Sequence, residues 1–324
     1  MTVAAESAPS PPWEDRLVVE RNYEGWRLDR WLAQKLRRAS RSQAARIVRE
    51  GARFADGRPA KAGARLRAGD VLVLPRTERA DPGAPPLDAL RVLARGDGWV
   101  ALDKPAGMLV HRTAAEGTRT VDAWLTATFR GERVEPVHRL DRDTSGILVA
   151  GVGLQAIRAL KALLAGREVH KTYLAVVADP GRLWEPGVER TVDVGLGFDE
   201  HSAVRLRVGR GSWECATHFT CRSRSGSLAL LTARLDGGRQ HQIRAHLTMA
   251  GTPLLGDKLY EAGDDFFLEW IERPGDPELV ARLPTRWHCL HAWRLSFPWC
   301  GDMVALEAPP GSPFDLSAAG ASDA

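Results

Sequence analysis

The sequence predicts an α+β chain of two unequal domains, and three observations carry that expectation. A length of 324 residues with 44% hydrophobic residues suffices for one large core or two unequal ones. Charge is segregated: residues 21–79 hold 16 Lys and Arg against 6 Asp and Glu, whereas the whole chain carries only +4. Beyond residue 87, strand-like apolar runs outnumber helical patterns. The expected order is a disordered leader (1–20), a small helix-and-sheet module (21–76), a linker (77–86), a larger domain (87–316) and a disordered tail (317–324).

In the first module, Leu28, Trp31, Leu32 and Leu36 fall at helical spacing, so residues 27–36 should form an amphipathic helix. Ser40-Arg41-Ser42-Gln43 has the form of a capping box and leads into a second helix over 44–50, ended by Gly51. Residues 52–58 read as a strand with an Asp-Gly turn, and 66–74 as a turn with a closing strand. Arg, Asp, Gly and Pro then crowd into 77–86, which suits a linker. The larger domain should have strands at 99–102, 146–152, 169–177, 227–235 and 289–297, and helices at 120–129, 154–164 and 240–250.

Several function classes lack support. Cys215, Cys221, Cys289 and Cys300 form no C-x-x-C pair, and with His218, His288 and His291 they match no zinc spacing. They are expected in the core or in strands, with no metal bound. A glycine-rich phosphate loop is absent, so no nucleotide cofactor is expected. Without 18 consecutive apolar residues, or a basic start leading into an apolar run, the expectation is a soluble cytoplasmic protein with no membrane partner. Positive charge concentrated in one module is the footprint of nucleic-acid binding.

His138-Arg139-Leu140-Asp141-Arg142-Asp143-Thr144-Ser145-Gly146 sets Asp141 between two arginines in a turn that feeds a strand. Flanking positive charge keeps a carboxylate ionised, and loops seated on strand ends present catalytic groups. This string resembles the signature of the RluA-type pseudouridine synthases, in which the aspartate is catalytic. Four further stretches resemble the same family, in the family's order. They are the Lys104-Pro105-Ala106-Gly107 turn running to His111, the Lys171-Thr172-Tyr173-Leu174-Ala175 strand, Gly238-Arg239-Gln240-His241-Gln242-Ile243-Arg244 with Gly256-Asp257, and Leu290-His291-Ala292 running to Phe297. Residues 21–76 resemble the alpha-L RNA-binding module named for a ribosomal small-subunit protein.

The resemblance implies a mixed, largely antiparallel sheet and an isomerase that converts uridine to pseudouridine within RNA, without a cofactor. It implies catalytic roles for Asp141 at the ribose, Tyr173 in proton transfer and Arg244 in orienting Asp141. Arg139, His138 and Lys171 are the expected substrate contacts, with Arg139 a candidate to fill the space of a flipped nucleotide. Arg37, Arg38, Arg41, Arg46 and Arg49 are the expected phosphate contacts. Large-subunit (23S) ribosomal RNA is favoured over tRNA as the target, and a monomer is expected. Two departures stand out: Gln240 replaces the family's usual threonine, and Arg112 its usual proline. Two other classes compete. One is a non-catalytic RNA-binding protein of this fold. The other is a hydrolase pairing Asp141 with Asp103 or Asp143, although Asp143 sits too close on the same turn to lie across a scissile bond.

Overall fold

A computed structural model describes residues 14–36, 41–75, 81–112 and 119–315. The chain divides into two units, one comprising the described residues up to 75 and the other those from 81 onward.

The first unit is built from β1 (Glu14–Val18), α1 (Leu28–Lys35), α2 (Arg41–Arg49), β2 (Arg53–Phe54) and β3 (Val71–Pro75), with the antiparallel strand order β1-β3-β2. Leu28, Trp31 and Leu32 of α1 and Ala44 and Val48 of α2 bury one face each against Phe54, Leu66 and Leu72. Asp29 anchors the start of α1, accepting from the Arg30 amide at 2.8 Å and from the Arg27 fork at 3.0 and 3.1 Å. Two expectations need correction here. The leader expected over 1–20 contains β1, because Leu17 and Val19 alternate inward with exposed Arg16 and Val18 and the strand pairs with β3. The strand expected over 52–58 is only Arg53–Phe54, since Gly57 takes φ +86° in the Asp-Gly turn and returns the chain at once. Ser40, and with it the capping box, lies outside the described residues.

The second unit begins earlier than expected. Residues 81–86 of the expected linker pack on it: Asp81 is fully buried in an ion pair with Arg286, and Ala84 is buried. The elements that follow are β4 (Arg91–Gly96), β5 (Trp99–Lys104), α3 (Val121–Thr128), β6 (Val134–Pro136), β7 (Ser145–Val152), α4 (Leu154–Ala165), β8 (His170–Ala178) and β9 (Glu189–Asp193). Then come β10 (Leu196–Phe198), β11 (Val208–Arg210), β12 (Ala216–Ser225), β13 (Leu228–Asp236), α5 (Gln242–Met249), α6 (Asp264–Glu272), α7 (Pro277–Ala281), β14 (Leu290–Trp299) and β15 (Asp302–Glu307). The main sheet runs β4-β5-β7-β14-β8-β13-β12-β9, with β6 on β7 and β15 on β14, while β10 and β11 form a separate hairpin. Its strand pairings are antiparallel except β14 with β7, which is parallel over His291–Ser145 and Ala292–Gly146.

Both faces of the central strands are covered, which is why they read as continuous apolar runs rather than alternating ones. Val100, Leu102, Leu148, Ala150 and Ala175 face α3 and α5 through Val121, Leu125, Ile243 and Leu247. Trp99, Ala101, Ile147 and Val149 face the opposite way, against Leu160 of α4 and Phe297. The turn from residue 138 to Ser145 therefore enters β7 at the middle of the sheet. Of the cysteines, Cys215, Cys221 and Cys289 are buried, but Cys300 is exposed, in a left-handed turn between β14 and β15 rather than in a core or strand. Among the described residues no helix is long and apolar enough to cross a membrane.

Candidate active site

The segment 138–146 is held from several sides. Its carbonyl at Arg142 accepts from the Gly107 amide and from Lys104 Nζ, both at 2.9 Å. Lys104 is fully buried and also donates to the Pro105 and Met108 carbonyls at 3.0 and 2.8 Å; burial pulls it down to about 7, against the fields of Asp143 and Asp141. Asp143 accepts from the buried Lys258 at 2.6 Å, and Lys258 sits between the rings of Trp270 and Trp287. Thr144 and Ser145 hydroxyls meet His288 Nε2 and His291 Nδ1, each at 2.8 Å. Gly146 closes the turn at φ +102°, where a Cβ would stand 2.3 Å from the Ala292 carbonyl oxygen. No larger residue fits there.

This scaffold presents Asp141 to helix α5. Arg244, buried in the first turn of α5, donates Nη1 to Asp141 Oδ2 at 2.8 Å, across 103 residues of sequence. Its other edge grips Asp257 through Nε and Nη2 at 2.7 and 2.9 Å. Asp257 is wholly buried, and its Oδ1 also accepts the amides of Leu259 and Tyr260, both at 3.0 Å. One guanidinium is thus fixed by Asp257 and aims its remaining corner at Asp141. His241 Nε2 lies 3.9 Å from Asp141 Oδ2, and His288 Nδ1 the same distance from Asp257.

Burial opposes the charge on Asp141. The fields of His241, Arg244 and His288, with the Arg244 hydrogen bond, outweigh it and hold the carboxyl well below the usual carboxylate range. Burial keeps both imidazoles near 4, so they are neutral at physiological pH and add positive charge only in acid. Near neutrality Arg244 is the cation that keeps Asp141 ionised. Asp257 is held down in the same way, by Arg244 against burial.

Tyr173 on β8 pairs in register with Ala292, and Ala292 with Gly146, so it lies on one row across the sheet with the end of the turn. Burial, then the Asp141 charge, push its phenol above its usual value, which leaves the ring protonated at neutral pH. Lys171, two residues earlier on the same face, is pulled down to about 8 by burial. His138 turns inward: its Nε2 accepts the Val149 amide at 3.0 Å, and burial keeps it neutral. Arg139 is exposed and, with His111, His138 and Lys161, lines an open cleft of about 590 Å³.

The structure therefore brings Asp141, Arg244 and Tyr173 together and leaves Arg139 at the cleft. Reading the sequence missed Lys104, His241, Asp257, Lys258 and His288. Asp257 and His241 sat inside the family-like motifs, where their charge and imidazole were the available signal. The two departures have local uses: Gln240 donates to the Leu206 carbonyl at 2.8 Å, and the Arg112 amide to Asp122 of α3 at 3.3 Å. In the first unit Arg41 pairs with Asp29 at 3.3 Å, Arg46 lies 3.7 Å from Glu50, and Arg49 is exposed on α2. Arg37 and Arg38 lie outside the described residues. Among the described residues no three His, Cys, Asp or Glu side chains cluster as metal ligands.

A sheet carrying an aspartate turn against an Arg-bearing helix defines a class, and comparison with known proteins fixes it. Residues 98–249 match the RNA pseudouridylate synthase family, and residues 26–72 match the S4 domain. A ribosomal large subunit pseudouridine synthase D of Xanthomonas campestris pv. campestris is 33% identical over 90% of this chain and 88% of its own. One from Nitrosomonas europaea is 32% identical over 93% and 86%. The solved structure of human RNA Pseudouridylate Synthase Domain Containing 1 shares the fold, with a TM-score of 0.53 at 21% identity over 72% of this chain and 87% of that one. The chain belongs to the RNA pseudouridine synthase family: it is an RNA-modifying isomerase with an S4 domain ahead of its synthase domain.

Proposed function

We propose that this chain isomerises uridines of large-subunit ribosomal RNA, with Asp141 as the group acting at the ribose. The Asp141–Arg244–Asp257 chain of contacts carries this reading, because it supplies one ionised, oriented and partly accessible carboxylate. The reaction breaks the N1–C1′ bond, forms the C5–C1′ bond, and moves the C5 proton to N1. Asp141 attacks or stabilises the ribose while the base is free, and Arg244 holds its orientation. Tyr173 stacks on the uracil and, protonated at neutral pH, donates and relays the proton. Arg139 and Lys171 take RNA groups beside the site, and Arg41, Arg46 and Arg49 contact phosphates.

The ribosomal target is favoured by the names of the relatives and by the charge of residues 21–79. The test treats rRNA and tRNA from a deletion strain with the enzyme and maps new pseudouridines. Modification in large-subunit rRNA is expected, and modification confined to tRNA would overturn the substrate. Asp141→Asn should retain fold and RNA affinity while tritium release from labelled uridine stops. Substantial turnover by that variant would overturn the site.

A further inference from the structure

We propose that His241 is a positioning residue that holds the Oδ2 side of Asp141, leaving Oδ1 as the reacting oxygen, and that Tyr260 fixes the tautomer it needs. This rests on Asp141 being the group that acts at the ribose.

His241 immediately precedes α5 and takes φ +54°, a left-handed torsion uncommon outside glycine. That torsion places its ring between two partners. Nε2 stands 3.9 Å from Asp141 Oδ2, and Nδ1 stands 3.2 Å from Tyr260 Oη, with the two rings edge to face at 86°.

The tautomer follows from what Tyr260 can donate. Its oxygen accepts the Val208 amide at 3.0 Å, so its single proton is left for the Val208 carbonyl at 3.3 Å or for His241 Nδ1 at 3.2 Å. With the imidazole proton on Nδ1, the Nε2 lone pair would face the carboxylate and repel it. A proton on Nε2 turns that repulsion into attraction, and Nδ1 then accepts from Tyr260.

Arg244 and His241 therefore both address Oδ2. Oδ1 receives no protein donor among the described residues. At 3.9 Å the His241 contact is too long for a hydrogen bond, and in empty sites contacts of this kind are often longer than in the filled complex. The tyrosine is itself clamped. Arg244 and Arg207 lie over its ring at 5.0 and 5.2 Å, and Gln240 ties the β10–β11 hairpin to the residue before His241. The family's threonine position thus serves here to latch the hairpin that seats Tyr260.

The ring must stay neutral, because a protonated His241 would form a full ion pair with Asp141 and blunt its reactivity. The charged and titratable groups facing it are Asp141, Arg244, Asp257, Tyr260 and His288, and burial sets its value near 4. A donor to Nδ1 favours the neutral ring. Removing it raises the value and moves the acid limb of kcat to higher pH.

The test uses full-length His241→Ala, His241→Gln and Tyr260→Phe beside Asp141→Asn, with kcat, KM, RNA affinity and thermal unfolding measured for each. His241→Ala should lose kcat by up to roughly 100-fold, the scale of a misplaced reacting group, with little change in KM. His241→Gln, whose amide N–H reaches toward Oδ2, should recover part of that loss. Tyr260→Phe should shift the acid limb upward at unchanged RNA affinity. Wild-type kcat in His241→Ala and a wild-type pH profile in Tyr260→Phe, with Asp141→Asn inactive, would remove His241 and leave Asp141 in place. Equal losses in Ala and Gln matching a drop in unfolding temperature would overturn positioning in favour of packing. Turnover by Asp141→Asn would instead remove the underlying reading.

Discussion

At the scale of single residues the site depends on a cation that has no slack. Arg244 commits two donors to Asp257 and one to Asp141, all with little access to water. Asp257→Ala would leave that guanidinium buried with only Asp141 to balance it. Breaking a buried ion pair by removing one partner costs roughly 3–5 kcal/mol, so the midpoint of urea unfolding should fall sharply and activity with it. An unchanged midpoint would mean that water reaches Arg244 and takes over the role of Asp257. The string around Asp141 was legible because its charges are contiguous, and Tyr173 because a strand and a motif coincide. The contact between Asp141 and Arg244 was within reach only through the resemblance, since no local pattern links residues 103 positions apart. His288 and Lys258 were illegible: one precedes a strand, the other follows a turn, and their partners Thr144 and Asp143 lie far off in sequence.

Among elements, those with strong periodicity or unbroken apolar runs were readable. Helix α4 falls close to its expected range because Ile157 and Leu160 mark a one-sided helical period, and strands β5, β7, β8, β13 and β14 because burial leaves a clear run of Val, Ile, Leu and Ala. Strand β9 carries exposed charged and polar residues at the sheet edge, and in β12 the buried Thr217, Phe219 and Cys221 alternate with half-buried His218 and Thr220, so neither shows a clear apolar run. Helix α5 starts at Gln242 rather than at 240, because His241 is left-handed. Helix α2 presents the most direct experiment at this scale. Arg41 and Arg49 are both exposed on it, so replacing both with alanine in the full chain should lower RNA affinity and flatten its salt dependence. Each phosphate deprived of its arginine should reduce the log-log slope by about 0.7 to 0.9. A slope equal to that of the wild type would show that α2 does not meet the RNA backbone.

For the molecule as a whole, the division into a basic module and a larger sheet was visible in the charge distribution, whereas the starts of both units were displaced by short segments, β1 and residues 81–86, that carry little pattern. Stability should depend on pH in a direction the buried imidazoles dictate. His241 and His288 have values near 4 when folded against 6.5 when unfolded, so the unfolded chain binds more protons between those limits. Stability then falls as pH drops from 6.5 to 4, by up to roughly a few kcal/mol. Below that, Asp141 and Asp257, with folded values depressed from 3.8, lose their contribution as pH falls further. Urea midpoints measured across this range should show the upper limb flattened in His288→Gln, and an identical limb would assign it to other groups. The seam between β7 and β14 has a consequence of another kind. It joins strands whose paired residues Ser145 and His291 are 146 positions apart, while β12–β13 and β4–β5 are hairpins that can pair locally. A chain with every hairpin formed but this seam open would possess most of its secondary structure but not the proposed catalytic centre, because the turn bearing Asp141 is braced by residues 288–292. Competence in this enzyme is therefore a property of closure rather than of content: it requires two distant stretches of chain to meet at the middle of the sheet.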